Sequence, residues 1–162
     1  MLIGSKVLDG EIEGGRVTHI RHQTVARPKT LRAEHYVLAT GGVYGEGLEV
    51  PPPLREGEGP AAEQVAPGAE SIREPIFNLP VIAPPNRADW FGEDLFSPAG
   101  HGLRSAGIRV DERFNPLDAK GAVIAKNLYV VGNMLAHINW MQGLTGDGVA
   151  ITSAFSAAKQ II

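Results

Sequence analysis

Cysteine is absent from these 162 residues. That excludes disulfides, thiolate catalysis, iron–sulfur clusters and cysteine-ligated zinc, and it fits a reducing compartment or a hot organism. No run approaches the roughly 18 apolar residues of a membrane span, and no charged-then-apolar leader opens the chain. Basic residues are not in excess. The 15 Lys and Arg stand against 18 Asp and Glu, a formal charge of −3. Nucleic-acid binding through phosphate neutralisation needs a basic surface, so that class is set aside. Several signatures are also missing. Gly146-Asp147-Gly148 lacks the Lys-Ser/Thr ending of a phosphate loop. No G-x-G-x-x-G follows a strand, so the chain by itself is not a complete dinucleotide-binding unit. G-x-S-x-G is absent, and with it a nucleophile elbow. No His/Asp/Glu cluster has metal-ligand spacing, so no metal is expected.

What is present suits a packed but loop-rich chain. Hydrophobic residues make up 43% and charged residues 20%, enough for a core and against bulk disorder. Ten of the twelve prolines fall between Pro51 and Pro98, with the regular segments on either side. This divides the chain into residues 1–42, 43–107 and 108–162. No segment repeats.

In the first zone, Val7 and Leu8 suggest a short strand, and Glu13-Gly14-Gly15 reads as a tight turn. Arg16–His22 reads as a second strand, and Arg27-Pro28-Lys29 as a connection. The apolar run His35-Tyr36-Val37-Leu38-Ala39 ends at Thr40-Gly41-Gly42, the pattern of a buried strand. In the middle zone, Pro51-Pro52-Pro53 and Gly57-Glu58-Gly59-Pro60 favour a loop, a lid or a partly disordered excursion within residues 46–69. Order is expected to resume near Ser71. In the last zone, Ile108 and Val110 flank Arg109 in a short strand. Residues 121–126 turn into Leu128-Tyr129-Val130-Val131, a second buried strand ending at Gly132-Asn133. Gly143, Gly146 and Gly148 form a glycine-rich loop before a helix. Thr145 or Asp147 stands at its N-cap. Ile151, Ala154, Phe155, Ala158 and Ile162 fall on one apolar stripe of that helix, the pattern by which a helix packs, although a sheet edge or apolar face left uncovered for a partner is also expected.

Strand, glycines and helix N-terminus together are a way to hold an electron-rich ligand. A helix N-terminus offers unpaired N–H groups and a partial positive charge, and glycines let a ligand approach the backbone. Gly146, Asp147, Gly148, Val149 and Ala150 are therefore candidate cofactor contacts, although the same spacing serves a plain strand-to-helix turn. Ligands of α/β proteins gather beyond the carboxyl ends of strands, where Thr40-Gly41 and Gly132-Asn133 stand. Among catalytic candidates, His137 follows Gly132-Asn133 and His101 lies between two glycines; either can exchange a proton. Arg73 beside Glu74 can grip a phosphate or quinone oxygen, or form a local ion pair. His19, His22 and His35 read as solvent-facing residues of strands.

The residues 36–42, 127–133 and 146–158 resemble motifs of two-dinucleotide-binding-fold flavoproteins: the Ala-Thr-Gly strand, the late strand whose Gly-Asp meets the ribitol chain, and the helix facing the flavin ring. Asn133 stands where the generic motif carries an acid; an amide still donates to or accepts from a hydroxyl. More narrowly, the chain resembles the C-terminal part of the B-subunit family of anaerobic glycerol-3-phosphate dehydrogenase. Ala39-Thr40-Gly41-Gly42-Val43-Tyr44-Gly45, Ile72-Arg73-Glu74-Pro75-Ile76-Phe77, Asp89-Trp90-Phe91 and residues 132–158 carry that likeness.

The resemblance implies an α/β fold (α+β in this portion), the C-terminal part of an FAD/NAD(P)-binding flavoprotein fold. It implies residues 1–42 and 108–162 in the FAD domain, a loop-rich cap over 43–107, and one long C-terminal helix. It implies FAD as cofactor, with Thr40, Gly41, Gly132, Asn133 and residues 146–150 as its neighbours. The implied reaction is oxidation of glycerol 3-phosphate to dihydroxyacetone phosphate, with electrons passing through FAD towards a quinone. Implied partners are other dehydrogenase subunits, or a polypeptide carrying the Rossmann half that relatives place first; a homo-oligomer is the other expectation. The implied location is cytoplasmic, peripheral to a membrane through a partner. The missing G-x-G-x-x-G suggests a fragment, a split gene product or a truncated frame. A second reading is a remnant without cofactor that serves as a binding or scaffolding module.

Overall fold

Gly14 and Gly15 both sit at positive φ, +56° and +74°, as the two central residues of a type I′ hairpin require. They join β1 (Val7–Glu13) to β2 (Arg16–His22), which pair antiparallel with two register shifts. The computed structural model describes residues 4–50, 72–94, 97, 100–138, 143 and 145–162. Of the stretch 46–69, residues 51–69 lie outside the described residues, as does the resumption at Ser71.

The first strand is longer than its two apolar residues suggest, because pairing with β2 carries Asp9, Gly10 and Glu11 along. Gly10 has a packing reason to lack a side chain. A Cβ there would run into the Phe77 ring, and its N–H donates to Ile76 C=O at 2.8 Å. The Ile76-Phe77 segment is thereby seated on the hairpin. Lys29, expected in a connection, begins β3 (Lys29–Leu31), which pairs with β2. His22, expected to face solvent, is buried, and its Nδ1 meets Ser5 Oγ at 2.5 Å.

A second sheet positions the candidate site. β4 (Tyr36–Leu38) and β5 (Leu128–Val130) run parallel and in register, Tyr36 opposite Leu128 and Leu38 opposite Val130. Every β5 residue is buried, whereas Val37 of β4 is 51% exposed. The run 35–39 is therefore half-covered within this chain rather than fully buried. The two sheets are tied by Asn127. Its Oδ1 accepts from Val17 N–H at 2.7 Å, and its Nδ2 donates to Val17 and Glu34 carbonyls. Ile108 and Val110, expected in a strand, instead make separate single bridges, to Leu135 and Pro116. The main core draws on all three zones, including Val17, Leu38, Leu48, Trp90, Leu103, Ile108 and Leu128.

The helix α1 spans Gly146–Ile161. Its N-cap is Thr145 rather than Asp147, which stands in the first turn. Gly146 and Gly148 belong to the helix and not to a loop before it. The expected apolar stripe does not face the core: Ile151 is 70% exposed and Phe155 61%, with Ala154 and Ala158 exposed beside them. The buried face carries Ser153 and Ala157, and Ala157 packs with Tyr129 and Val131. Small residues let the helix backbone lie close against β5, so proximity rather than hydrophobicity selects the face. The architecture is of the α/β class, a meander and a parallel pair with one long helix. Among the described residues, no helix is long and apolar enough to cross a membrane.

Candidate functional site

The parallel strands end side by side, and both ends turn on glycine. After β4, Gly41 and Gly42 take φ of +96° and +66°; after β5, Gly132 takes +68°. Side chains rarely adopt this region, so glycine is required at each bend. Val131 N–H donates to Leu38 C=O at 3.1 Å, carrying the pairing up to the bends. There is no room for a side chain at Gly42, whose Cβ would lie 2.5 Å from Asn133 C=O. Thr40, Gly41, Gly132 and Asn133 thus share one edge of the molecule.

The helix N-terminus joins them. Gly132 N–H donates to Ser153 Oγ at 2.9 Å, and the same hydroxyl donates to Val149 C=O at 2.6 Å. A Cβ on Gly132 would lie 3.9 Å from the Ala150 methyl. Ser153 therefore fixes the first turn of α1 against the end of β5. The sequence reading missed this residue, because its partner Gly132 stands 21 residues earlier in the chain. Thr145 supplies no side-chain cap to α1. Among the described residues, Cβ atoms built on Gly146 or Gly148 would meet nothing within 4 Å. The approach to the first turn is open, and an open groove of about 830 Å³ lies there. Phe114, Leu135, Thr145, Asp147, Gly148 and Val149 line it, and the lining is mostly apolar.

A smaller cavity adjoins the strand ends, lined by Gly41, Gly42, Tyr44, Arg104, Ala106 and Asn133 among others. Met134 Sδ, fully buried, receives Thr40 Oγ–H at 3.3 Å and Gly42 N–H at 3.2 Å.

The three catalytic candidates do not converge. Arg73 bridges to Glu49 through Nε at 3.0 Å and Nη2 at 2.8 Å, and not to Glu74. Glu74 is buried and accepts from Ile76 and Phe77 N–H groups, closing the turn after Arg73. His101 is buried at 4% exposure; its Nδ1 accepts from Gly92 N–H at 3.0 Å and its ring tilts against Phe91. His137 is exposed, with φ at +64° and its N–H on Ser105 C=O. Among the described residues no group of His, Asp and Glu could hold a metal ion.

The open first turn, the crowded glycine bends and the mostly apolar groove suit a large, partly planar, anionic ligand, and the residues present fit a flavin dinucleotide. Residues 1–149 match the family model described as FAD binding domain, and the chain belongs to that family. The curated relatives it matches include B subunits of anaerobic glycerol-3-phosphate dehydrogenase. That of Vibrio cholerae serotype O1 is 32% identical over 161 residues, 99% of this chain and 32% of the relative. That of Aliivibrio fischeri is 33% identical over 132 residues, 82% of this chain and 25% of the relative. That of Yersinia enterocolitica is 32% identical over 162 residues, again 32% of the relative. The chain spans about a third of the length of the curated relatives it matches. No solved structure matches it significantly.

Proposed function

We propose that this chain forms the flavin-facing part of a flavoprotein oxidoreductase that oxidises glycerol 3-phosphate and passes the electrons through FAD towards a quinone. One observation carries the reading. Two parallel strands end in glycine bends beside a helix N-terminus that has no side-chain cap, in a chain of the FAD binding domain family. FAD supplies the redox chemistry when bound. The protein's own residues hold and orient it. Thr40 and Gly41 on one strand end, and Gly132 and Asn133 on the other, border the ligand. The N–H groups of residues 146–148 and the dipole of α1 stabilise negative charge on it, Val149 N–H being spent on Thr145 C=O, and Val149 and Ala150 border it. Ser153 keeps that first turn in place. We assign no catalytic role to His101, His137 or Arg73. Partners in this reading are the other dehydrogenase subunits and a polypeptide carrying the Rossmann half; attachment of this cytoplasmic protein to a membrane goes through a partner.

The test is titration of FAD with the purified chain, followed by quenching of flavin fluorescence. It is repeated with a polypeptide carrying the G-x-G-x-x-G half. Saturable quenching by the chain alone, or only with that half, is the expected result. No quenching in either case removes the oxidoreductase reading and leaves a cofactor-free module.

A further inference from the structure

Arg104 is placed unlike the other arginines whose contacts define them. Arg21 pairs with Asp9 and Arg73 with Glu49, both at the surface. Arg104 sits on the 3-10 turn Gly102–Ser105, between the buried residues Leu103 and Ala106. Its Nε is buried and has no hydrogen-bond partner among the described residues. Guanidinium is always charged and has donors only, so a buried Nε–H without an acceptor is a loss that folding does not recover. The cavity it lines is the one at the strand ends, with Gly41, Gly42 and Asn133. The room there is about 20 Å³, enough for one water-sized group. The surroundings are rich in donors. Gly42 N–H and the neighbouring Thr40 hydroxyl both point at Met134 Sδ, a weak acceptor. The guanidinium of Arg104 repels a cation from this cavity and welcomes an anionic oxygen.

We propose that Arg104 is the anion ligand of this edge, its guanidinium donating to a phosphoryl oxygen placed in the cavity beside Gly41, Gly42 and Asn133. The choice of phosphate rests on the function proposed above. The phosphoryl group belongs either to a phosphate monoester substrate or to the diphosphate of the dinucleotide. Arg104 supplies charge and a fixed donor; no bond is made or broken there.

The experiment uses the whole chain and two variants, Arg104→Met and Arg104→Lys. Calorimetric titration with inorganic phosphate and with glycerol 3-phosphate, and FAD fluorescence quenching, are measured for each. Urea midpoints are recorded without ligand. Wild type is expected to bind at least one of these ligands, and Arg104→Met to bind it about tenfold or more weakly, as loss of a charge-assisted hydrogen bond implies. Arg104→Lys is expected to recover part of the affinity. The ligand-free midpoint of Arg104→Met should equal or exceed that of wild type, because the unpartnered donor is gone. Weaker phosphate-ester binding with FAD binding intact supports the substrate as the source; weaker FAD binding supports the dinucleotide. Equal affinities in wild type and Arg104→Met, a lowered midpoint with unchanged affinities, or no anion binding by wild type overturns the proposal. If Arg104→Met does not fold, Arg104→Lys decides: undiminished affinity for every ligand overturns it, and a measurable loss upholds it. Phosphate binding that depends on Arg104 in a chain that never binds FAD upholds this inference and removes only the function proposed above.

Discussion

Gly42 illustrates how a single residue sets the geometry of the site. Its φ is +66° and a Cβ would press on Asn133 C=O at 2.5 Å. Gly42→Ala must either bend the backbone or push the two strand ends apart. The expected cost is about 1–3 kcal/mol in urea denaturation, the range for a strained backbone position, together with weaker flavin quenching. A stability unchanged from wild type would show that the ends are not held this closely. Gly41, Gly42 and Gly132 were legible because glycine after an apolar run announces a bend. Asn127, Ser153 and Arg104 were not. Their roles lie with groups far along the chain, such as Val17 for Asn127, 110 residues away, and no local pattern encodes such a partner.

At the scale of elements, the hairpin and the helix behave oppositely. The β1–β2 hairpin follows its local signals, and Asp9 and Arg21 face each other across it with Nε and Oδ1 at 2.6 Å. The hydrogen bond from Arg21 holds the Asp9 carboxyl below its ordinary value of 3.8 and raises the guanidinium above its own. A depressed carboxyl pKa stabilises the folded state above the ordinary value, and that contribution is lost as pH falls through the folded value. Asp9→Asn should therefore lower the urea midpoint slightly near pH 7, and the two proteins should converge as pH falls below the folded value of the Asp9 carboxyl; the pair is at the surface, so the effect is small. A difference that persists at the acid end would contradict the pairing. In α1 the periodicity identified a helix and misjudged its buried face. Phe155→Glu is expected to change stability by no more than about 0.5 kcal/mol, as for a surface site. Ala157→Leu should cost about 1–3 kcal/mol by overpacking against Tyr129 and Val131. Thermal or urea unfolding of both variants checks the assignment, and the reverse order of costs would restore the apolar stripe to the core.

For the whole molecule, the local code and the assembled fold divide the information cleanly. The sequence by itself determined the Gly14-Gly15 hairpin, the strands at 36–38 and 128–130, the C-terminal helix, and the motif order shared with the FAD binding domain family. Allowed φ values and side-chain periodicity act over a few residues, so these features are written where they occur. Only the tertiary structure decided that Ser153 and Ala157, rather than Ile151 and Phe155, lie against β5, that Arg73 pairs with Glu49, that His22 is buried, and that Arg104 reaches the strand ends. Burial and charge pairing depend on which distant segments pack together. Between a small helix face that fits closely and a large apolar face that stays exposed, close packing against β5 prevailed.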